Sequence, residues 1–207
     1  METAWIIALA VAAYLLGACP FSVWIGKLAL GKDIRQYGDG NPGSTNVIKA
    51  GSTFWGIVAM VADIVKGIPF ILVARGIFGF SQVILYLIAF CAVLGHAYSP
   101  FLGFRGGKAL AVFGGTVIAI PLWDMLISFT VLLFIGFLFI RNDSWTVIFS
   151  AAGSITYLMV TRANVYEIIF IICISLIFVI KHYRSLRAKP SNPARLWIWL
   201  RSRKRTT

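Results

Sequence analysis

Asp33-Ile-Arg-Gln-Tyr-Gly-Asp-Gly-Asn-Pro-Gly-Ser-Thr-Asn-Val-Ile-Lys49 is the stretch on which the fold turns. It contains G-x-G-x-x-G as Gly38, Gly40 and Gly43, and Asp63 follows twenty residues after the last glycine. That fingerprint marks a dinucleotide fold only where a strand precedes it and a βαβ unit surrounds it. Its flanks are of another kind. Residues 4–26 carry no charge, and residues 50–74 carry none except Asp63, Lys66 and no other. Each run is close to the roughly 20 apolar residues that cross a bilayer as a helix. The loop therefore joins membrane helices, and the dinucleotide reading is rejected.

Further along the chain the pattern repeats. Residues 76–95 and 144–161 are uncharged, and residues 163–180 are interrupted only by Glu167. Two shorter runs, 109–123 and 125–139, are separated by Asp124 and read as two short helices joined near Pro121. The fold class expected is all-α, a polytopic membrane protein of about seven transmembrane helices, with five as the lower count. Residues 1–185 form a single integral-membrane domain in this reading, and residues 186–207 a basic cytoplasmic tail.

Composition agrees. Of 207 residues, 59% are hydrophobic and 13% charged, against about 25% charged in ordinary soluble domains. A water-soluble globule and a disordered chain are both excluded. The formal charge of +12 would suggest a nucleic-acid partner on a soluble protein, but membrane proteins gather Lys and Arg on their cytoplasmic face. With the N-terminus outside and seven crossings, sixteen basic residues fall inside against two, Arg75 and Arg162, outside. The C-terminus is then cytoplasmic. In the tail, Trp197 and Trp199 lie among basic residues, which suits an anionic inner leaflet better than nucleic acid. Leu16-Gly-Ala-Cys19 mimics a lipoprotein cleavage site, yet the only early charge is Glu2 and the apolar run continues past it. It is expected to be a retained first helix. Cys19, Cys91 and Cys173 have no metal or redox spacing, and no metal site or cofactor is expected.

Three polar segments interrupt the apolar pattern. In the first, glycines let backbone N–H groups face a ligand, and Ser44, Thr45 or Asn46 is placed to cap the next helix, with Arg35 and Lys49 adding charge. A phosphate cradle and a tight interfacial turn both fit. The second, Gly95-His96 through Phe104-Arg105-Gly106-Gly107-Lys108, is expected to open the fourth helix and combines flexible backbone with two cations. His96 there fits a structural hydrogen-bonding role as well as a chemical one. The third, Asp63-Ile-Val-Lys66-Gly67, puts two charges on one helix face inside a span. A bundle-holding ion pair and a functional pair are both open.

The order of GxGNxGxTN, DxxKG and GHxx…FxGGK resembles the bacterial acyl-phosphate:glycerol-3-phosphate acyltransferases, the PlsY family, over about residues 4–185. Such a resemblance implies an enzyme of the bacterial inner membrane, multi-pass, with its site facing the cytoplasm. It would move an acyl chain from acyl-phosphate to the sn-1 hydroxyl of glycerol 3-phosphate, giving lysophosphatidic acid and phosphate, without acyl-CoA as direct donor. Its partners would be those two substrates and membrane lipids. The implied catalytic residues are Asp39, Lys49, His96 and Lys108. Phosphate binding falls to Arg35, Gly38, Gly40, Asn41, Gly43, Ser44, Thr45, Asn46, Arg105, Gly106 and Gly107, with Asp63, Lys66, His182 and Asn192 as further candidates. Both substrates carry phosphate, so a basic pocket between two glycine-rich loops suits them, and a mixed anhydride demands positioning more than a covalent nucleophile.

This chain departs from the family pattern in several places. Asp39 stands where Ser is usual, Lys49 where Arg is, Ala109 where Gly follows the lysine, and Ser44 where Ala is common. Asp39 is expected either to pair with Arg35 or Lys49, or to accept the proton of the attacking hydroxyl. At the C-terminus the family's H-x-x-N…G-x-E is missing: Tyr-Arg-Ser follows His182, and Asn192 only echoes the pattern ten residues later. The alternative function is a divergent paralogue that binds phosphate or lipid without this chemistry or with another acceptor. A transporter is disfavoured because no inverted repeat is visible.

Overall fold

Prolines and glycines cut the apolar runs into helices of defined length. The computed structural model describes residues 1–161 and 164–187, and all regular structure among them is helical. The first run gives α1 (Glu2–Ala18) and α2 (Phe21–Leu30). Pro20 has no N–H and its ring disfavours helical backbone at the residue before it; Cys19 accordingly sits at ψ 120°. At its other end α2 stops at Gly31, whose left-handed φ of 64° lets Gly31 and Lys32 donate their N–H groups to the carbonyls of Lys27 and Gly26.

The second run, read from sequence as one span, is also divided. After α3 (Ser44–Lys49), Ser52 accepts the N–H of Trp55 at 3.2 Å and starts α4 (Thr53–Val65). A break at Lys66-Gly67-Ile68 precedes α5 (Pro69–Gly76), with Pro69 in its first turn. Then come α6 (Gln82–Ala97), a 3₁₀ turn at Pro100–Leu102, and α7 (Leu110–Ala119). Beyond Pro121 lie α8 (Trp123–Phe139), α9 (Asp143–Thr161) and α10 (Val165–Leu186).

Among the described residues, five helical stretches are long and apolar enough to cross a membrane: Glu2–Leu30, Thr53–Gly76, Gln82–Leu102, Asp143–Thr161 and Val165–Leu186. The two runs flanking Pro121 give shorter apolar helices, α7 and α8, as their lengths in sequence implied.

The chain divides into two compact units, Met1–Leu122 and the remainder from Trp123. In the first, the closest partners are α1 and α6. Lipid offers helices no hydrophobic gain from touching each other, so close backbone approach between small residues does the work. A Cβ on Gly17 would collide with the Ala92 carbonyl, and one on Gly95 with the Tyr14 carbonyl. Tyr14 donates its hydroxyl to the Tyr98 carbonyl at 3.0 Å, and Ser99 to the Ala18 carbonyl at 2.6 Å. On the other side α4 meets α7 in the same way, with Gly115 against the Ile64 carbonyl and Gly67 against that of Val112. Ile57, Val61 and Val65 on α4 point outward with half their surface uncovered, a surface that lipid would cover.

In the second unit, α8 and α9 meet at Gly136 and Gly153, beside Thr146 and Leu132. Asn164 accepts the N–H groups of Tyr166 and Glu167 to start α10, and Asn142 donates to the Ser185 carbonyl at 3.0 Å near its end. His182 is buried in α10, its Nδ1 2.9 Å from the Phe178 carbonyl.

Candidate active site

Two glycine-bearing loops meet over a cavity of about 360 Å³ in the first unit. In the first loop Gly38 and Gly40 take left-handed backbone, φ 59° and 73°, placing Asp39 on a narrow turn between them. The turn is fastened from α3. Asn46, 1% exposed, donates through Nδ2 to Asp39 Oδ1 at 3.0 Å and to the Asn41 carbonyl at 2.8 Å. Both partners are acceptors, so the amide nitrogen must face them. The Asn41 N–H also donates to Asp39 Oδ1, at 3.1 Å. The expected side-chain cap does not form: Gly43 caps α3 and Ser44 is already its first residue, because Asn46 is spent on the turn and Ser44 and Thr45 line the cavity instead.

The second loop runs from the end of α6 to the start of α7. Gly106 and Gly107 pass directly over His96: a Cβ on Gly106 would strike the His96 carbonyl, and one on Gly107 the imidazole Nε2. Gly107 donates its N–H to the His96 carbonyl at 3.0 Å. The helix begins later than the sequence suggests, at Leu110 rather than in Arg105-Gly-Gly-Lys108. Ala109 supplies the turn into it with φ 64°, a left-handed geometry that disfavours any side chain.

Together the loops bring Lys108 and Asp39 into an ion pair, Nζ to Oδ2 2.8 Å. Partial burial opposes ionisation of Asp39, but the Lys108 ammonium, the Asn41 amide and Asn46 outweigh it and hold the pKa at about 2. The partners expected from sequence lie elsewhere. Arg35 grips Asp33 through Nε and Nη2, at 2.9 and 2.6 Å, and holds that carboxyl at about 2 as well. Lys49 is exposed and folds back over Gly38; Arg105 is exposed in its loop. Of the four cations anticipated around phosphate, Lys108 lines the cavity and Arg35, Lys49 and Arg105 do not.

Below this mouth the wall is built by Asp63 of α4 and His96 of α6. Asp63 is buried, accepts the Ser22 hydroxyl at 2.7 Å through Oδ2, and pairs with Lys66 at 2.6 Å through Oδ1. Lys66 also donates to the Cys19 carbonyl at 2.8 Å and lies 5.6 Å from the centre of the Phe21 ring. Pro20 breaks the helix at this point, and the Cys19 carbonyl accepts the Phe21 N–H at 3.0 Å as well as the Lys66 ammonium. The i, i+3 pair seen in sequence is therefore an anchored strut between α4 and the α1–α2 break. His96 Nδ1 stands 3.8 Å from Asp63 Oδ1, beyond hydrogen-bond reach but close enough to feel its charge.

The remainder of the wall is apolar: Met60 and Ile64 from α4, Leu110, Ala111 and Gly114 from α7. The lining thus combines an ammonium and the hydroxyl-bearing Ser44 and Thr45 with a greasy surface. Ser22, the Cys19 carbonyl and this apolar wall were not singled out from the sequence. A proline break inside the first run was the available signal for the carbonyl; a serine or methionine in a membrane helix carries none. His182 belongs to the second unit, and Asn192 lies outside the described residues, as does most of the basic tail.

The family model for glycerol-3-phosphate acyltransferase matches residues 7–189. The chain is 33% identical over 178 residues to the glycerol-3-phosphate acyltransferase of Dechloromonas aromatica, covering 86% of this chain and 88% of that one. It is 36% identical over 164 residues to that of Levilactobacillus brevis, covering 75% and 73%. Among solved structures it resembles PlsY, an integral membrane glycerol 3-phosphate acyltransferase, in its glycerol 3-phosphate form, with a TM-score of 0.79, 30% identity and coverage of 94% and 98%. The lysophosphatidic acid form matches with a TM-score of 0.78 and 29% identity. With most of its length matched by the family and its architecture shared with PlsY, the chain belongs to the glycerol-3-phosphate acyltransferase family.

Proposed function

We propose that this protein transfers an acyl chain from acyl-phosphate to the sn-1 hydroxyl of glycerol 3-phosphate, releasing lysophosphatidic acid and phosphate. The observation that carries the reading is the mixed lining of the cavity, in which Lys108, Ser44 and Thr45 stand with Met60, Ile64 and Leu110. Phosphate groups belong at the ammonium and the acyl chain along the apolar wall. The hydroxyl oxygen attacks the acyl carbonyl carbon, the bond from that carbon to the phosphate oxygen breaks, and phosphate leaves. Asp39, with a pKa of about 2, is a poor base for the hydroxyl proton. Even a phosphate ester has a second pKa near 6, and the released inorganic phosphate is more basic still, so it is the better acceptor and the proton departs with it. Lys108 neutralises the charge that gathers on the leaving group, Asn46 and Asn41 hold the loop, and Asp63 and His96 shape the wall.

The topology follows from charge: seven crossings with α7 and α8 as short ones, the N-terminus outside, the tail and both loops cytoplasmic, in the bacterial inner membrane. Reporter fusions at residues 1, 80 and 207 test it; an external residue 207 would overturn the orientation. A second reading, a phosphate- or lipid-binding paralogue without this chemistry, draws on the Asp39 carboxylate already seated on Lys108. Purified protein in lipid, given acyl-phosphate and glycerol 3-phosphate, separates them when phosphate and lysophosphatidate are followed together, with acyl-CoA as a parallel donor. Product from acyl-phosphate alone is expected. No product from either donor selects the second reading, and product from acyl-CoA alone overturns the donor assignment.

A further inference from the structure

Among the described residues lining the cavity, Lys108 is the one lysine or arginine, and it is already occupied. Asp39 Oδ2 sits 2.8 Å from its ammonium. The carboxylate is built into that place: its other oxygen receives the Asn41 N–H at 3.1 Å and Asn46 Nδ2 at 3.0 Å. The neighbouring carboxylate of the same loop, Asp33, is matched by its own cation, Arg35. Asp39 therefore has no charge partner in that loop and takes the cavity's cation. Gly38 and Gly40, left-handed on both sides of it, make the narrow turn that presents the carboxylate to the lysine.

We propose that Asp39 is a resident counter-anion that occupies Lys108 in the empty site, competes with substrate phosphate for it, and thereby sets the affinity for phosphate. This rests on the reading of the cavity as a phosphate site. An anion arriving at Lys108 meets a second negative charge within contact distance of the same ammonium. Either it displaces the carboxylate or it shares the cation at the cost of like-charge repulsion. In both cases phosphate is held more loosely than Lys108 alone would hold it, and the released product leaves more readily. Asp39 acts through Lys108, so it is a positioning residue that tunes binding.

The test uses the full chain in lipid nanodiscs at fixed ionic strength, with inorganic phosphate as the probe. Direct titration compares the parent protein with Asp39→Asn, Lys108→Ala and Asp33→Asn. Asp39→Asn keeps an oxygen for the Asn41 amide and is expected to bind phosphate about tenfold more tightly. Asp33→Asn removes the same charge from the same loop without touching Lys108 and should shift binding less than about twofold. In turnover, Asp39→Asn should lower KM and strengthen inhibition by phosphate without raising kcat. Separate titrations of glycerol 3-phosphate and acyl-phosphate show which substrate's phosphate shares Lys108, since only that KM falls. Unchanged or weaker phosphate binding in Asp39→Asn, or an equal gain in Asp33→Asn, overturns the proposal. Where Lys108→Ala binds phosphate as the parent does, the phosphate-site reading itself fails, and this inference with it. Should Asp39→Asn lower thermal stability, Asp39→Ser is measured in its place and read by the same criteria.

Discussion

Two aspartate–lysine pairs stand a few residues of wall apart and teach opposite lessons. Asp63–Lys66 closes at 2.6 Å with side chains 4% and 1% exposed; Asp39–Lys108 closes at 2.8 Å with 48% and 25% exposed. The chemistry is the same and the surroundings are not. Removing one partner of a buried pair leaves a charge stranded in low dielectric, so Asp63–Lys66 is bound to the fold. A solvated pair contributes little to stability, so Asp39–Lys108 is free to serve binding. The buried pair also has further partners, Ser22 on one side and the Cys19 carbonyl on the other. The exposed pair keeps an ammonium that a ligand can reach.

The comparison breaks most readily at the buried pair. Lys66→Met is expected to destabilise the protein by about 3–5 kcal/mol, read as thermal unfolding in nanodiscs, and the double change Asp63→Leu with Lys66→Met should recover most of that loss. A single variant as stable as the parent would show that the strut carries no load. Next in size, Lys108→Ala should lower turnover on the order of 10²–10³-fold with its unfolding temperature within about 2 °C of the parent; near-normal rates would remove Lys108 from the site. A smaller effect comes from the turn into α7. Ala109→Gly relieves a left-handed backbone at φ 64° that costs a side chain roughly 1–2 kcal/mol, part of which returns as chain entropy lost on folding. A net gain of about 0.5–1 kcal/mol is expected, and a loss would show that the methyl group packs usefully.

The smallest effect is on acid stability. Asp39 and Asp33 both have folded pKa values of about 2, below the ordinary aspartate value of 3.8. Groups depressed in the folded state stabilise it above their unfolded pKa and lose that contribution as pH falls through the folded value. The parent should therefore lose stability between about pH 4 and pH 2 more steeply than Asp33→Asn or Asp39→Asn. Parallel curves for all three would show that neither pair persists in solution. Above pH 5 neither carboxylate titrates, so any acidic limb of activity there belongs to another group.

Much of this architecture was legible in the sequence because lipid leaves few options. Uncharged runs of about 20 residues become helices, and glycines among charges become loops. The loops themselves, Lys108 and the Asp63–Lys66 spacing were readable for that reason. The partner of Asp39 was not. Sequence proximity favoured Arg35 or Lys49, while the actual partner comes from a loop that reaches the site only after α4, α5 and α6 have packed. The helix starts were also misplaced for local reasons: Ala109 adopts a turn that alanine does not advertise, and Gly43 takes the cap that three polar neighbours were placed to provide. Ser22 and Met60 matter through position alone, and no residue type announces position.

The glycine contact between α1 and α6 has a consequence in time. Gly17 and Gly95 press against carbonyls of the opposite helix, so neither surface is complete without the other. About 80 residues separate them, which at 5–20 residues per second of synthesis is roughly 4–16 s. For that interval the first helix stands in the bilayer with its bare backbone groove turned to lipid or to the insertion machinery. The sixth helix then arrives as a late keystone, and assembly of the first unit waits on its delivery.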